Sequence, residues 1–104
     1  MTSVVSEAEL TEFENLCCDY FYDHMLPVLL DRHKSRGKNY LDYEPEEYYG
    51  NILDCARRAK TLLLAGTPPD DEGLVDACRD GANYFLLEGV KLAIEAAMAK
   101  EDKA

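Results

Sequence analysis

The chain has 104 residues and a formal net charge of −10, and its composition is 47% hydrophobic and 31% charged. That length fits a single domain spanning 1–104 and excludes two. The acidic balance argues against direct binding to nucleic acid or anionic lipid, whose phosphates such a surface repels. Two exceptions survive. Clustered carboxylates hold Mg²⁺, and Mg²⁺ holds a nucleotide; an acidic protein can also occupy the nucleic-acid-binding surface of another protein. Unbroken apolar runs such as 62–65 fall far short of the roughly 20 residues of a membrane span. The first residues carry neither the positive nor the apolar stretch of a signal peptide, so the expectation is a cytoplasmic protein with no membrane partner.

The first predicted helix opens at Ser6, because Ser6-Glu7-Ala8-Glu9 fits a capping box. Leu10, Phe13, Leu16, Cys17, Tyr20 and Phe21 then recur at helical spacing. Pro27 lacks an N–H and clashes with the preceding turn, which predicts a kink or restart. Val28, Leu29 and Leu30 carry the apolar surface on to about Lys34. A loop follows over 35–44.

The second predicted helix begins at Pro45, favoured in a first turn, with Glu46 and Glu47 complementing the helix dipole. Tyr49, Ile52, Leu53, Ala56 and Leu63 form its expected apolar stripe, and Gly66 ends it. After Thr67-Pro68-Pro69, a third helix starts near Asp70 or Asp71 and runs to about Lys100. Leu74, Val75, Cys78, Ala82, Phe85, Leu86, Gly89, Val90 and Ala93 are its expected apolar side. The ends, 1–5 and 100–104, are expected to be flexible.

No strand pattern competes, so the fold class is all-α: a three-helix chain whose first helix is kinked at Pro27. Three amphipathic helices in so short a chain present more apolar surface than they can cover alone. The expectation is a helical bundle completed by homo-oligomerisation, in the first instance a dimer sharing the first and third helices.

The four cysteines, Cys17, Cys18, Cys55 and Cys78, show no metal-ligand spacing. They read as free thiols serving as small core hydrophobes in a reducing compartment. His24 and His33 have no nearby Cys or His to complete a metal set. The seven tyrosines suit core, interface or base-stacking roles.

The third helix carries the pattern with chemical content. Glu72, Asp76 and Asp80 recur every four residues, followed by Asn83 and Tyr84, so one helical face gathers three carboxylates and an amide. The helix's two basic residues, Arg79 and Lys91, are read as lying outside this ladder. Three readings stand: a Mg²⁺ or nucleotide site, a solvated acidic face, or a structural pair between Asp76 and Arg57 or Arg58 of the second helix. In the first two, Asp76→Asn relieves repulsion of a few tenths of a kcal/mol; in the third it destabilises, by leaving an arginine unpaired.

The run Glu72-Gly73-Leu74-Val75-Asp76-Ala77-Cys78-Arg79-Asp80-Gly81-Ala82-Asn83-Tyr84 resembles the acid-rich helix of MazG-like proteins, and in particular of nucleotide modification associated domains. Tyr48-Tyr49-Gly50-Asn51-Ile52 with Arg57-Arg58 is similar to that family's preceding helix, and Lys38-Asn39-Tyr40 to its loop. The likeness spans residues 34–95. It implies an all-α oligomer that binds a nucleotide, with enzymatic members releasing pyrophosphate from nucleoside triphosphates through Mg²⁺. On this reading Glu47, Glu72, Asp76 and Asp80 hold Mg²⁺, while Lys38, Tyr40, Arg57, Arg58, Asn83 and Tyr84 hold the nucleotide. The chain departs from the enzymatic motif at Gly50, where a third glutamate belongs. That departure keeps open a different class: a phage-type binding protein, not an enzyme, that sequesters a nucleotide-derived signal or blocks a host defence protein with its acidic surface.

Overall fold

The computed structural model describes residues 4–103, and among them it is all-α with no strand. The helices are α1 (Glu7–Tyr20), α2 (Leu26–Arg36), α3 (Pro45–Leu64) and α4 (Glu72–Lys103). No helix among the described residues is long and apolar enough to cross a membrane. Of the expected flexible ends, 1–3 and 104 lie outside the described residues, and α4 continues to Lys103 rather than stopping near Lys100.

Local sequence explains where each helix begins. The Ser6 side chain accepts from the Glu9 N–H at 3.2 Å, the expected cap of α1. Glu44 and Glu47 form a reciprocal capping box at the start of α3, with Pro45 in its first turn. The Asp71 carboxylate accepts from the Leu74 N–H at 3.1 Å and opens α4. At the end of α3, the Gly66 N–H bonds to the Leu63 carbonyl and the Thr67 N–H to that of Leu62, both at 3.1 Å. This Schellman closure needs a left-handed residue, and Gly66 supplies it with φ +74°.

Between α1 and α2 the chain never leaves the helix. A π-helical turn, Phe21–Met25, joins them, with the Leu26 N–H reaching back to the Phe21 carbonyl. The turn lies immediately before Pro27, whose ring would strike the carbonyl four residues back in a regular α-helix. A widened turn is one of the few ways a helix passes such a residue. The kink expected at Pro27 is thus a π turn inside one continuous first helix.

α3 and α4 form an antiparallel hairpin. A Cβ built on Gly81 would stand 3.2 Å from the Cys55 Cβ, so the two helices approach closely at Gly81. Further along, the Lys91 ammonium donates to the Tyr43 carbonyl at 2.7 Å. The inward positions of α3 are Tyr48, Ile52, Cys55, Ala59 and Leu62, buried or half-buried. They repeat at alternating spacings of four and three, as packed helix pairs require. The expected stripe through Tyr49, Leu53, Ala56 and Leu63 is the outer face instead, and these four residues are exposed. α3 is apolar on both flanks, and periodicity alone could not say which flank meets α4.

The same correction applies to α4. Leu74, Ala77 and Asn83 are buried, whereas Cys78, Ala82, Phe85, Gly89, Val90 and Ala93 of the expected apolar side are exposed. All four cysteines are free thiols, but only Cys55 is even half-buried. Cys17, Cys18 and Cys78 are therefore not core residues within this chain. Burial, then the nearby Asp80 carboxylate, pushes the Cys55 thiol above its ordinary pKa.

The fully buried apolar residues are few: Tyr48, Leu74 and Ala77. Tyr48 is the centre of this small core. Its hydroxyl donates to the Tyr40 carbonyl, its ring meets Tyr43 edge-on at 5.3 Å, and the Lys91 ammonium lies 5.9 Å from its centroid.

Candidate functional site

Of the acidic ladder of α4, Glu72 is exposed and Asp76 half-buried, and Asp80 faces the first helix. Arg32 of α2 reaches Asp80 at 3.3 Å. Arg79 bonds Asp80 at 3.3 Å and Asp76 at 2.9 Å. Arg79 therefore lies between the carboxylates rather than outside the ladder: three residues after Asp76, it shares a helical face with it. The structural pair also differs from the expected one, since Asp76 is held by its own helix and not by α3. Arg57 instead bonds Asp54 at 3.5 Å on the exposed face of α3, and Arg58 is exposed as well.

The expected ligand set Glu47, Glu72, Asp76 and Asp80 is not gathered within one chain. Glu47 sits in the first turn of α3, and its carboxylate accepts from the Glu44 N–H at 3.4 Å. Glu72 sits in the first turn of α4, which the antiparallel hairpin places at the other end of the bundle. Among the described residues, no three His, Cys, Asp or Glu side chains stand where they would share a metal ion.

A different grouping does form. A cavity of about 360 Å³ lies between the first helix, the short 3₁₀ turn Asn39–Leu41 and α4. Leu26, Leu29 and Leu30 wall it on one side, and Leu86, Leu87 and Val90 on the other. Tyr40, Asn83 and Tyr84, three of the six residues expected to hold a nucleotide, line it together. Lys38, Arg57 and Arg58 do not. Three basic residues that the sequence reading left out of the site, Arg32, His33 and Arg36, also line it. Their spacing along α2 was the available signal: at helical pitch, positions 32, 33 and 36 share one side of the helix.

Asn83 is the polar element of this wall. It is 2% exposed, and its amide nitrogen donates to the Met25 carbonyl at 3.3 Å, at the end of the π turn. Its Oδ1 is buried and has no hydrogen-bond partner. A buried acceptor without a partner costs about 1–3 kcal/mol relative to a satisfied one, so a donor supplied at this wall is stabilised in proportion. The His33 and Tyr40 rings lie 6.3 Å apart at the edge of the cavity. Arg36 makes no ion pair among the described residues, unlike Arg32, which is engaged by Asp80.

Compared with protein-family models, with curated proteins and with solved structures, the chain matches none. The likeness to MazG-like proteins therefore rests on the residue pattern of α4 and its neighbours alone.

Proposed function

We propose that this protein binds a nucleotide or nucleotide-derived signal in the cavity between the first helix and α4, and holds it without turning it over. The observation that carries the reading is the buried, unpartnered Asn83 Oδ1, set beside Tyr40 and Tyr84 in an otherwise apolar wall. A base edge bearing an N–H or NH₂ satisfies that acceptor. The leucine and tyrosine surfaces take the faces of the base, as aromatic rings do for any nucleobase. Arg36 and His33 lie where a phosphate would be drawn.

Binding without chemistry follows from the pairing of the acidic ladder. Asp76 and Asp80 are matched by Arg79 and Arg32, so two of the four carboxylates that the MazG-like resemblance assigns to Mg²⁺ are engaged in ion pairs, and Asp80 ties α4 to α2. The resemblance supports the ligand class, and the cavity supports a site away from the acidic ladder.

Thermal denaturation against a panel of nucleotides, with and without Mg²⁺, tests the reading. A ligand that binds only the folded chain adds about 2.7 kcal/mol at a hundredfold excess over its Kd, a rise of several degrees in Tm for a domain of this size. The stabilisation should not require Mg²⁺. Arg36→Glu, at an exposed position, should weaken it at least tenfold, and Asn83→Leu should abolish it. A panel with no stabilising nucleotide defeats the reading; stabilisation that appears only with Mg²⁺ and survives Asn83→Leu returns the site to the acidic ladder.

A further inference from the structure

Two stretches among the described residues are exposed along their whole length. Every residue of α1 is exposed, and so is every residue of α4 from Leu92 to Asp102. Neither stretch is a polar helix. α1 presents Leu10, Phe13 and Leu16, 55%, 66% and 62% exposed. The α4 arm presents Leu92, Ile94 and Met98, with Leu92 and Met98 57% and 58% exposed.

The whole chain shows the same excess. It exposes 8124 Å², whereas a compact monomer of 11.7 kDa exposes roughly 5,900 Å². Its radius of gyration is 17.2 Å, against about 13 Å for a compact domain of this length. The difference of roughly 2,200 Å² exceeds the approximately 800 Å² that each partner buries in an ordinary interface and is of the size obligate homodimers bury.

Placement and charge indicate what covers it. α1 meets the α3–α4 hairpin at its loop end, where Tyr20 lies beside Leu63, Thr67 and Cys78. The α4 arm departs at the opposite end, beyond the tie between Lys91 and the Tyr43 carbonyl. α1 carries Glu7, Glu9, Glu12, Glu14 and Asp19 and no basic residue, so two copies of α1 repel each other. The arm carries Lys100 against Glu95, Glu101 and Asp102, so it repels α1 less than a second α1 would.

We propose that the occupant is a second copy of this chain, in a two-fold dimer where α1 of each protomer lies along the α4 arm of its partner. At 1.5 Å per residue, α1 is about 21 Å long and the arm about 17 Å, so the arm spans most of the length of α1. Two-fold symmetry makes the contact reciprocal, with both arms and both α1 helices covered. The inference stands on exposed surface and placement and does not depend on the nucleotide reading.

Light scattering coupled to size exclusion tests it at micromolar concentration. The wild-type protein should elute at twice its 11.7 kDa chain mass. Leu16→Glu on α1 and Met98→Glu on the arm should each give a monomer. An equimolar mixture of the two variants should recover the dimer, because one of its two contacts then joins an intact α1 to an intact arm. In the wild-type protein, carbodiimide coupling should link a carboxylate of α1 to Lys100 between chains, a readout that needs no variant. A wild-type monomer, a mixture that stays monomeric, or interchain links confined to pairs outside α1 and the arm would each overturn the proposal.

Discussion

Replacing Tyr48 by alanine is expected to cost about 3–5 kcal/mol, the range for deleting a buried aromatic side chain. Against a total of about 5–15 kcal/mol for a native domain, that leaves the protein partly or wholly unfolded at ordinary temperature. The size of the effect follows from how little else is buried. Tyr48, Leu74 and Ala77 are the only fully buried apolar residues described, and the Tyr48 ring is where Tyr43, Lys91 and the 3₁₀ turn converge. Tyr48→Phe isolates the hydroxyl. It keeps the ring and leaves the Tyr40 carbonyl without its donor, for a loss of about 1–2 kcal/mol at neutral pH.

The same residue sets an alkaline limit. Burial, then the neighbouring Tyr43 and Glu88, push the Tyr48 phenol up from 10.0 to about 12. The folded state therefore favours the protonated phenol, which can donate, over a phenolate, which cannot. Its stabilising contribution is fully present below pH 10 and is lost as pH rises from 10 toward 12, by about 2–3 kcal/mol. Urea unfolding of wild-type protein and Tyr48→Phe at pH 8 and at intervals above pH 10 should show the wild-type advantage shrinking across that window. A constant difference between the two proteins would show that Tyr48 does not titrate in it.

The legible part of this fold was its punctuation. Ser6, Pro45 and Gly66 are where helices begin and end, because capping, a fixed φ and a left-handed turn are local requirements that a few residues satisfy by themselves. The faces were less legible. On α3, both 49/53/56 and 48/52/55 offer apolar side chains, and the choice was decided by where Gly81 of α4 permits close approach to Cys55, a tertiary fact. On α1 the periodicity is real, yet its apolar residues stay exposed in the single chain. For the site, Asn83 and Tyr84 of α4 line one cavity, and the loop residue Tyr40 joins them. The contribution of Arg32, His33 and Arg36 was hidden because it depends on α2 crossing α4, which no local pattern encodes. The ladder was ambiguous for a related reason. A carboxylate row reads the same whether it faces solvent, a metal or a basic side chain on another helix, and only the position of Arg32 separates these.

That ambiguity makes Asp80→Asn informative. Asp80 has an 18% exposed side chain and sits between two guanidinium groups, those of Arg32 and Arg79, each at 3.3 Å. The substitution keeps an acceptor oxygen but removes the charge, leaving Arg32 without an anionic partner and Arg79 with Asp76 alone. Exposed ion pairs contribute about 0–1 kcal/mol, and breaking a buried pair costs about 3–5 kcal/mol. The intermediate burial here places Asp80→Asn at about 2 kcal/mol of destabilisation. Asp76→Asn should cost less than about 1 kcal/mol, because its side chain is more exposed and Arg79 retains Asp80. The order matters more than either value. A solvated or cation-holding ladder gains a few tenths of a kcal/mol from losing a charge at either position, so both variants would then be slightly stabilised in metal-free buffer. A double-mutant cycle with Arg32→Met separates the tie between helices from the pair within α4. Coupling of about 0.5–3 kcal/mol between Arg32 and Asp80 is expected for residues in one network. Coupling indistinguishable from zero, with Asp80→Asn neutral or stabilising, would release the ladder from its structural role and reopen it as a ligand site.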